Sequence, residues 1–312
     1  MYLYGDNPVS FYAMSIIVLG TVALDTVKTP FGLRRHILGG SAVHFAIVCR
    51  LFTKVNLVAV VGEDFPSRYI KFLHQKGIVL TSLIRTEGAT FKWGGQYKGD
   101  LNTAITLSTE LGVLLTFRPR VSEEQKNIKH IFLANLDPDI QNHLLTHMRS
   151  PHLVALDSMN YWIKHKRRSL LRLLKKVDIY VANDQEARTL SGESNLLKAA
   201  KYLRLLGPEM ILIKKGEHGV LFFSDRFIFS IPAYPTDRVI DPTGAGDTFA
   251  GAFMGYLTKV NKINEASIKK AIIYGTIAAS FNVEDFGLNK TSRLERKDLQ
   301  QRLREFRKYV LF

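Results

Sequence analysis

The sequence predicts an α/β protein built on a doubly wound, mostly parallel sheet. Short β-branched or leucine-rich runs alternate with amphipathic helical stretches along most of the chain, which is the pattern of βαβ units. The chain has 312 residues and is 46% hydrophobic, so it can bury one large core or one core with a small appended unit. No internal repeat or Pro/Ser-rich linker interrupts it, which favours one main domain over two tandem domains.

The predicted elements begin with a strand over residues 15–19. They continue with a helix over residues 41–52, a strand over 55–61 and a helix over 67–76. Later strands are predicted at residues 131–134, 153–156, 179–182 and 210–214, each followed by a helix or hairpin. Parallel strands are joined by such crossovers, so we expect helices on both faces of the sheet.

The alternation stops between about residues 83 and 119. Residues 89–97 and 102–115 carry Thr, Trp, Tyr and Gly in strand-like runs with no helix between them. This composition predicts antiparallel strands that lie outside the main sheet. A simple surface hairpin is the alternative.

The charge balance of the chain is strongly basic. Lys and Arg number 43 against 28 Asp and Glu, which gives a formal net charge of +15. The densest basic run, residues 164–176, has leucines at helical spacing, so it predicts an amphipathic helix with a solvated basic face. No nucleic-acid recognition motif accompanies this run, and a specific nucleic-acid role is therefore not expected.

Cysteine usage and apolar runs bear on the location of the protein. Cys49 is the only cysteine, so no disulfide forms within the chain and a reducing compartment is expected. No apolar stretch reaches the roughly 18 residues of a membrane span, and no signal-peptide pattern opens the sequence, so a cytoplasmic protein is expected. Residues 1–13 form a polar, aromatic-rich extension before the first strand, which raises the hypothesis that translation starts at Met14.

Residues 241–247, Asp-Pro-Thr-Gly-Ala-Gly-Asp, carry the clearest chemical signal of the chain. At a helix start, the backbone N–H groups of Gly244, Ala245 and Gly246 lack helical partners, and the helix dipole favours an anion there. Asp247 beside this anion hole is placed to accept the proton of an attacking hydroxyl, as phosphoryl transfer requires. A Gly-rich loop with a helix-start acid is the plain structural alternative.

From residue 241 to residue 254, this string resembles position by position the C-terminal signature of the PfkB family of carbohydrate and nucleoside kinases, also called ribokinase-like kinases. The resemblance covers almost everything from Met14 onward. It implies a three-layer αβα domain over residues 14–312. Residues 26–38 and 89–116 have the place in sequence of the small antiparallel β lid that these kinases fold over their substrate, which would exclude water from the transfer.

A second motif, Asn183-Asp-Gln-Glu186, follows the strand at residues 179–182 and opens a helix. Oxygen ligands at the carboxyl end of a parallel strand suit Mg²⁺ held partly through water. An N-cap with its capping-box Glu has the same spacing and is the alternative. The motif is similar to the family's N-x-x-E, and the resemblance links Asn183 and Glu186 to magnesium and phosphate handling.

The resemblance also implies an acceptor site in the first half of the chain. Gly39 and Gly40 resemble the family's N-terminal glycine pair, and Asp25 resembles its substrate-binding acid, which accepts hydrogen bonds from neighbouring hydroxyls. His44 stands where many sugar kinases of the family have Asn, so it is either a substrate contact or a packed core residue. Asp137 falls near a further substrate-contacting acid and is otherwise an ordinary turn residue.

For the nucleotide, the resemblance implies ATP with Mg²⁺. Lys214, Gly216 and Gly219 lie where relatives approach the nucleotide, and Thr243 belongs to the same implied site. A hairpin turn with exposed lysines is the alternative for the first three. The segment 282–287 would border a monovalent-cation loop.

The acceptor is where the sequence leaves alternatives open. The expected function is ATP-dependent phosphoryl transfer to a hydroxyl of a small sugar or sugar-like molecule, and a nucleoside is the main competitor. Phe91, Trp93 and Tyr97 could stack a base, pack on one another, or pack on a second lid in a homodimer. A non-catalytic sugar- or nucleotide-binding sensor is a further alternative, which the presence of both Asp247 and Glu186 disfavours.

Overall fold

A computed structural model describes residues 14–99 and 101–310. The first half of the chain contains β1 (Ser15–Leu19), β2 (Ala23–Thr29), β3 (Gly32–Gly39), α1 (Ser41–Cys49), β4 (Lys54–Gly62), α2 (Ser67–Gln75), β5 (Val79–Thr86), β6 (Lys92–Tyr97), β7 (Ala104–Glu110), β8 (His130–Leu133), α3 (Pro138–His147) and β9 (Leu153–Asp157). The second half contains α4 (Asn160–His165), α5 (Arg167–Leu174), β10 (Ile179–Asn183), α6 (Asp184–Ser191), α7 (Leu196–Leu205), β11 (Met210–Lys214), β12 (Val220–Ser224), β13 (Ile228–Ile231), α8 (Ala245–Val260), α9 (Glu265–Asn282) and α10 (Arg296–Val310).

The main sheet has nine strands in the order β13-β12-β11-β10-β9-β8-β1-β4-β5. The seven strands from β11 to β5 are parallel to their neighbours, and β12 and β13 extend the sheet as antiparallel strands. From β1 the chain first builds the β4–β5 side and then returns to place β8 on the other side of β1. Open α/β sheets bind ligands at the carboxyl edge beside such a reversal.

The two faces of the main sheet bury separate hydrophobic cores. Along β1, Ile16 and Val18 point into a core shared with α1, α8, α9 and α10, whereas Ile17 and Leu19 point into a core shared with α3, α5, α6 and α7. Side chains of a strand alternate between faces, so a strand that is apolar at every position needs helices on both sides. The predicted doubly wound α/β fold is therefore confirmed.

A smaller sheet of four strands, in the order β3-β2-β6-β7, lies outside the main sheet. It differs from the predicted antiparallel arrangement, because β2 and β6 pair in parallel and only the two outer pairs are antiparallel. The difference follows from connectivity. β2 comes directly after β1 and β6 comes after β5, and since β1 and β5 point the same way in the main sheet, their continuations leave its carboxyl edge in the same direction.

Other boundaries also differ from the sequence-based expectations. Residues 112–116 form a 3-10 helix where a strand was predicted, and the basic run at 164–176 is divided between α4 and α5 at Lys166. The extension at residues 1–13 lies outside the described residues. No helix of the described chain is long and apolar enough to cross a membrane.

Candidate active site

The turn that opens α8 is held by a buried acid. Gly244 adopts a left-handed conformation, with φ of 75°, ahead of Ala245, the first residue of α8. Asp241 accepts the Thr243 N–H at Oδ1 (2.9 Å) and the Gly287 N–H at Oδ2 (2.9 Å). These bonds fix the turn against the segment that follows α9, so the first-turn N–H groups of α8 keep a defined direction.

Asn282, the last residue of α9, ties the same turn to α1. Its Nδ2 donates to the Thr243 carbonyl (2.7 Å), and its Oδ1 accepts the Thr248 hydroxyl (2.9 Å) and lies 3.2 Å from His44 Nδ1. The His44 ring is buried, which lowers its pKa, and it fills the space beside Gly244, where a Cβ would lie 2.3 Å from the ring. This placement supports a packing role for His44, and a contact with substrate stays a prediction.

One N–H group of the predicted anion hole has a partner within the turn, and anion binding there stays a prediction. The Ala245 N–H already donates to the Pro242 carbonyl (3.1 Å) within the turn. Gly246 and Asp247 belong to the first turn of α8, where backbone N–H groups have no helical partner. A Cβ on Gly246 would lie 2.9 Å from Lys214 Nζ, so the missing side chain lets an ammonium come close to the helix start. This end of α8 thus combines N–H donors, a cation and a carboxylate.

Asp247 is a half-buried acid. Burial, and then the negative charge of Asp157, raise the pKa of its carboxyl to about 7, while the ammonium of Lys214 opposes the rise. A general base works best when its pKa lies near the working pH. The electrostatic environment of Asp247 therefore suits proton abstraction from a hydroxyl at neutral pH.

Lys214, at the carboxyl end of β11, forms an ion pair with an acid two strands away. Its Nζ donates to Asp157 Oδ2 (2.7 Å), and the two side chains are 18% and 6% exposed. Burial alone would lower the pKa of this lysine, but the charges of Asp157 and Glu186 outweigh burial and raise it. Lys214 is therefore a fixed cation at the carboxyl edge of the sheet.

Asn183 and Glu186 form a reciprocal capping box at the start of α6. The Glu186 N–H donates to Asn183 Oδ1 (2.7 Å), and Glu186 Oε2 accepts the Asn183 N–H (2.7 Å). Burial raises the pKa of Glu186 to about 8, with Asp157 adding to the rise and Lys214 opposing it. The motif therefore serves as a helix N-cap with its capping-box Glu, and its use in magnesium binding stays a prediction.

The acidic groups of this edge fit a magnesium ion that keeps much of its water. Among the described residues, no three or more His, Cys, Asp or Glu side chains are grouped so that they could hold a metal. Mg²⁺ in kinase sites is bound mainly by substrate phosphates and water, with one or two carboxylates. Glu186 supplies one carboxylate and Asn183 one amide oxygen at this edge of the sheet.

Asp25 lies against the glycine pair, and the binding of an acceptor by these three residues stays a prediction. Gly40, with φ of 96°, precedes α1, and its N–H donates to Asp25 Oδ2 (3.2 Å). A Cβ on Gly39 would lie 1.9 Å from the same oxygen, so only glycine leaves room for the carboxylate. Burial raises the pKa of Asp25 to about 7, the Gly40 N–H opposes this, and the charges of Asp241 and Asp247 add to it.

Asp25 shares a face of the smaller sheet with aromatic side chains. Asp25 and Trp93 are partners in the register of β2 and β6, and Tyr97 follows on the same face of β6. The Trp93 indole lies across Gly95, where a Cβ would be 2.0 Å from the ring. Tyr97 accepts a long hydrogen bond from the Thr243 hydroxyl (3.4 Å), which links this face to the turn before α8.

The turn between β11 and β12 contains the two glycines predicted to approach the nucleotide. Gly216 and Gly219 have φ of 56° and 83°, in the region that favours glycine. Glu217 between them accepts a hydrogen bond from Asn102 Nδ2 (2.9 Å), in the loop that joins β6 and β7. The tip of the smaller sheet therefore touches this turn.

Asp137 lies at the carboxyl edge of the sheet but is occupied as a helix cap. Its Oδ1 accepts the Asp139 N–H (2.9 Å) at the start of α3, and its Oδ2 lies 3.4 Å from Lys166 Nζ. Asp137 therefore has the turn role that was the alternative to substrate binding. A contact between Asp137 and substrate stays a prediction.

Three site residues have roles that were not predicted from the sequence. Asp157 directly follows a buried strand run, so the rule that selected Asn183 could have found it. Asp241 stands inside the glycine motif, but nothing local shows that its carboxylate holds the turn. Asn282 is at the far end of α9, and only the folded chain brings it to Thr243.

The fold and the groups at the carboxyl edge of the main sheet together define a phosphotransferase with an alcohol acceptor. The PfkB family model, "pfkB family carbohydrate kinase", matches residues 15–294, and the chain belongs to this family. It is 29% identical to a cytidine kinase from Thermococcus kodakarensis over 258 residues, covering 81% of this chain and 91% of that protein. It is 28% identical to a nucleoside kinase from Methanothermobacter thermautotrophicus over 294 residues, covering 87% and 86%.

Solved structures show the same fold. The crystal structure of Methanocaldococcus jannaschii nucleoside kinase, a ribokinase-family member, superposes with a TM-score of 0.76 at 21% identity and covers 94% of this chain and 98% of that one. The predicted resemblance to ribokinase-like kinases is confirmed. Kinases of this family use ATP with Mg²⁺.

Proposed function

We propose that the chain is an ATP-dependent nucleoside kinase. The observation that carries the proposal is the placement of Asp25 and Trp93 side by side on one face of the smaller sheet. A buried carboxylate suits two neighbouring sugar hydroxyls, and an indole face suits a planar base. A nucleoside presents both groups in one molecule, and the cytidine and nucleoside kinases to which the chain is similar support this acceptor class.

In this proposal Asp247 removes the proton from the acceptor hydroxyl. The first-turn N–H groups of α8 and the ammonium of Lys214 face the charge that develops on the transferred phosphoryl group. Magnesium bound with ATP would supply further positive charge at the phosphates, and Asn183 and Glu186 would hold it through water. Asp25 and Gly40 position the acceptor.

A small sugar is the second candidate acceptor. Asp25, Gly39 and Gly40 would bind the hydroxyls of a free pentose or hexose in the same way as those of a ribosyl group, and only the base would distinguish the two. A non-catalytic sensor is less well supported, because a binding protein needs no base with a pKa near 7 beside an ammonium.

The test is phosphoryl transfer by the wild-type protein and by Asp247→Asn with MgATP. The acceptor panel contains purine and pyrimidine nucleosides, pentoses, hexoses and sugar acids. We expect turnover of at least one nucleoside and a fall in kcat of about 10²- to 10⁴-fold in Asp247→Asn, the range that a general base contributes. Asp225→Asn is the control, since it removes an exposed acid that pairs with Arg204 at the end of β12.

Turnover of a sugar but no nucleoside would replace the proposed acceptor by the second candidate. Binding of ATP without any acceptor-dependent turnover would favour the sensor. Equal kcat in the wild-type protein and Asp247→Asn would remove Asp247 from the proposed role.

Three further expectations belong to this proposal. A homodimer through the smaller sheet is supported by β7, whose seven residues are all exposed and include Ile105 and Leu107 on an open edge. Sedimentation should show a dimer that Leu107→Lys converts to monomer, and a wild-type monomer would contradict it.

Faster turnover in K⁺ than in a large organic cation would support a monovalent-cation loop at 282–287. A cytoplasmic location stays a prediction.

A further inference from the structure

The Lys214–Asp157 pair spans three strands of the main sheet. Lys214 ends β11 and Asp157 ends β9, and β10 runs between them, so the lysine side chain must cross the end of β10 to reach its partner. The Nζ–Oδ2 distance is 2.7 Å. The same ammonium stands 2.9 Å from the position that a Cβ of Gly246 would take. The pair thus fixes a cation at the start of α8.

Folding alone gives little reason to retain such a pair. Removing two charges from water carries a desolvation cost that their mutual attraction rarely exceeds, and apolar residues of similar volume would often be as stable. The strand residues just before the two partners, Leu156 in β9 and Ile213 in β11, are fully buried and pack without charges. A defined position for the ammonium is the property that the pair adds.

Resting on the proposed function, we propose that Asp157 is a positioning residue of the phosphoryl transfer. Its carboxylate holds the Lys214 ammonium against the N-terminus of α8, where the ammonium meets the phosphates of the nucleotide. Asp157 itself touches neither substrate. Without this anchor, the flexible lysine would spread over several rotamers and its charge would be withdrawn from the phosphate position.

The two members of the pair also shift the pKa of the Asp247 carboxyl in opposite directions. Asp157 from β9, Glu186 from α6 and Asp25 from β2 are the acidic groups around Asp247, and Lys214 from β11 is the basic one. Asp157 raises the pKa of Asp247 and Lys214 lowers it. Removing either half of the pair should therefore move the pH dependence of the reaction, with opposite signs.

The experiment compares Asp157→Asn, Lys214→Met and the double variant with the wild-type protein. Two quantities are measured for each, the affinity for MgADP by calorimetry and the pH dependence of kcat/KM with the best nucleoside of the panel. We expect both single variants to bind MgADP about tenfold more weakly, since each loses a charge-assisted phosphate contact or its anchor. The acid limb of kcat/KM should move to lower pH in Asp157→Asn and to higher pH in Lys214→Met.

A matched control separates positioning from stability. Asp225→Asn breaks the Arg204–Asp225 pair, whose 2.8 Å distance is nearly the same, and it should change neither MgADP affinity nor the acid limb. Thermal unfolding of each variant shows whether it is folded at the assay temperature. If Lys214→Met is unfolded because Asp157 is left unpaired, the double variant, which has no unpaired charge, gives the affinity measurement instead.

Wild-type MgADP affinity in a folded Asp157→Asn, or acid limbs that move in the same direction in the two single variants, would overturn the positioning role. Failure of the proposed function looks different. A wild-type protein that turns over no acceptor would refute the kinase proposal, while the MgADP arm would still decide whether Asp157 positions Lys214.

Discussion

Two glycines of the motif before α8 are required for different physical reasons. Gly244 has a positive φ and faces the His44 ring, so both its backbone and its surroundings exclude a side chain. Gly246 has ordinary helical geometry, and a Cβ there would meet only the far end of the Lys214 side chain. The first glycine serves the fold of the turn, and the second serves the approach of a cation to the helix start.

Alanine at these two positions should therefore give separable effects. Gly244→Ala is expected to lower the free energy of unfolding by about 1–3 kcal/mol, because a residue with a Cβ is strained there. Gly246→Ala is expected to leave the unfolding temperature within a few degrees and to reduce kcat by about tenfold, because the ammonium is displaced. Thermal unfolding and steady-state kinetics on both proteins test this. Equal loss of stability in the two variants would contradict it.

At the scale of elements, the smaller sheet both covers the site and positions two of its side chains. β2 and β6 pair in parallel, and this register sets Asp25 beside Trp93. The absence of a side chain at Gly95 lets the Trp93 indole lie flat along its own strand, with Nε1 donating to the Thr106 hydroxyl (3.3 Å). A ring fixed in this way loses little entropy when a base stacks on it.

Trp93→Leu should raise KM for a nucleoside by about tenfold and leave KM for free ribose unchanged, since base–aromatic stacking contributes about 1–3 kcal/mol. The sequence has two tryptophans, so Trp162→Phe leaves Trp93 as the single fluorescent reporter. Its emission should change on addition of a nucleoside and not of ribose. An equal rise of KM for both acceptors in Trp93→Leu would show that the indole does not recognise the base.

Sequence patterns predicted the elements whose partners are local and missed the contacts that depend on the whole chain. Runs of apolar residues predicted six strands of the main sheet within one or two residues, because both faces of a buried parallel strand must be apolar. β5, an edge strand in which only Ser82 is buried, was not predicted. The parallel pairing of β2 with β6 depends on the direction in which β1 and β5 leave the main sheet, which no local pattern contains. Asp157 likewise gains its role only when β11 brings Lys214 across β10.

At the scale of the whole molecule, the two edges of the main sheet respond to pH in opposite ways. At the carboxyl edge, Asp25, Glu186 and Asp247 have raised pKa values, so the folded protein binds their protons more readily than the unfolded chain does. At the amino edge, His130 starts β8 with 1% of its surface exposed. Among the described residues, neither of its ring nitrogens has a hydrogen-bond partner.

Burial, with a smaller contribution from His152, lowers the pKa of His130 to about 4, below its ordinary value of 6.5. Between pH 6.5 and 4 the unfolded chain therefore binds a proton at this position that the folded protein does not, and the free energy of unfolding must decrease as the pH falls. The full effect is about 3 kcal/mol. His130→Phe removes this contribution and leaves the carboxylates of the opposite edge in place.

The difference in unfolding free energy between His130→Phe and the wild-type protein should therefore change by about 3 kcal/mol in favour of the variant between pH 7 and pH 4. Denaturant unfolding at a series of pH values measures this difference, and the shared contributions of Asp25, Glu186 and Asp247 cancel in it. His74→Gln, at an exposed position of α2, is the control and should keep the wild-type pH dependence. A difference that stays constant from pH 7 to pH 4 would mean that His130 gains its proton in the folded protein as easily as in the unfolded chain.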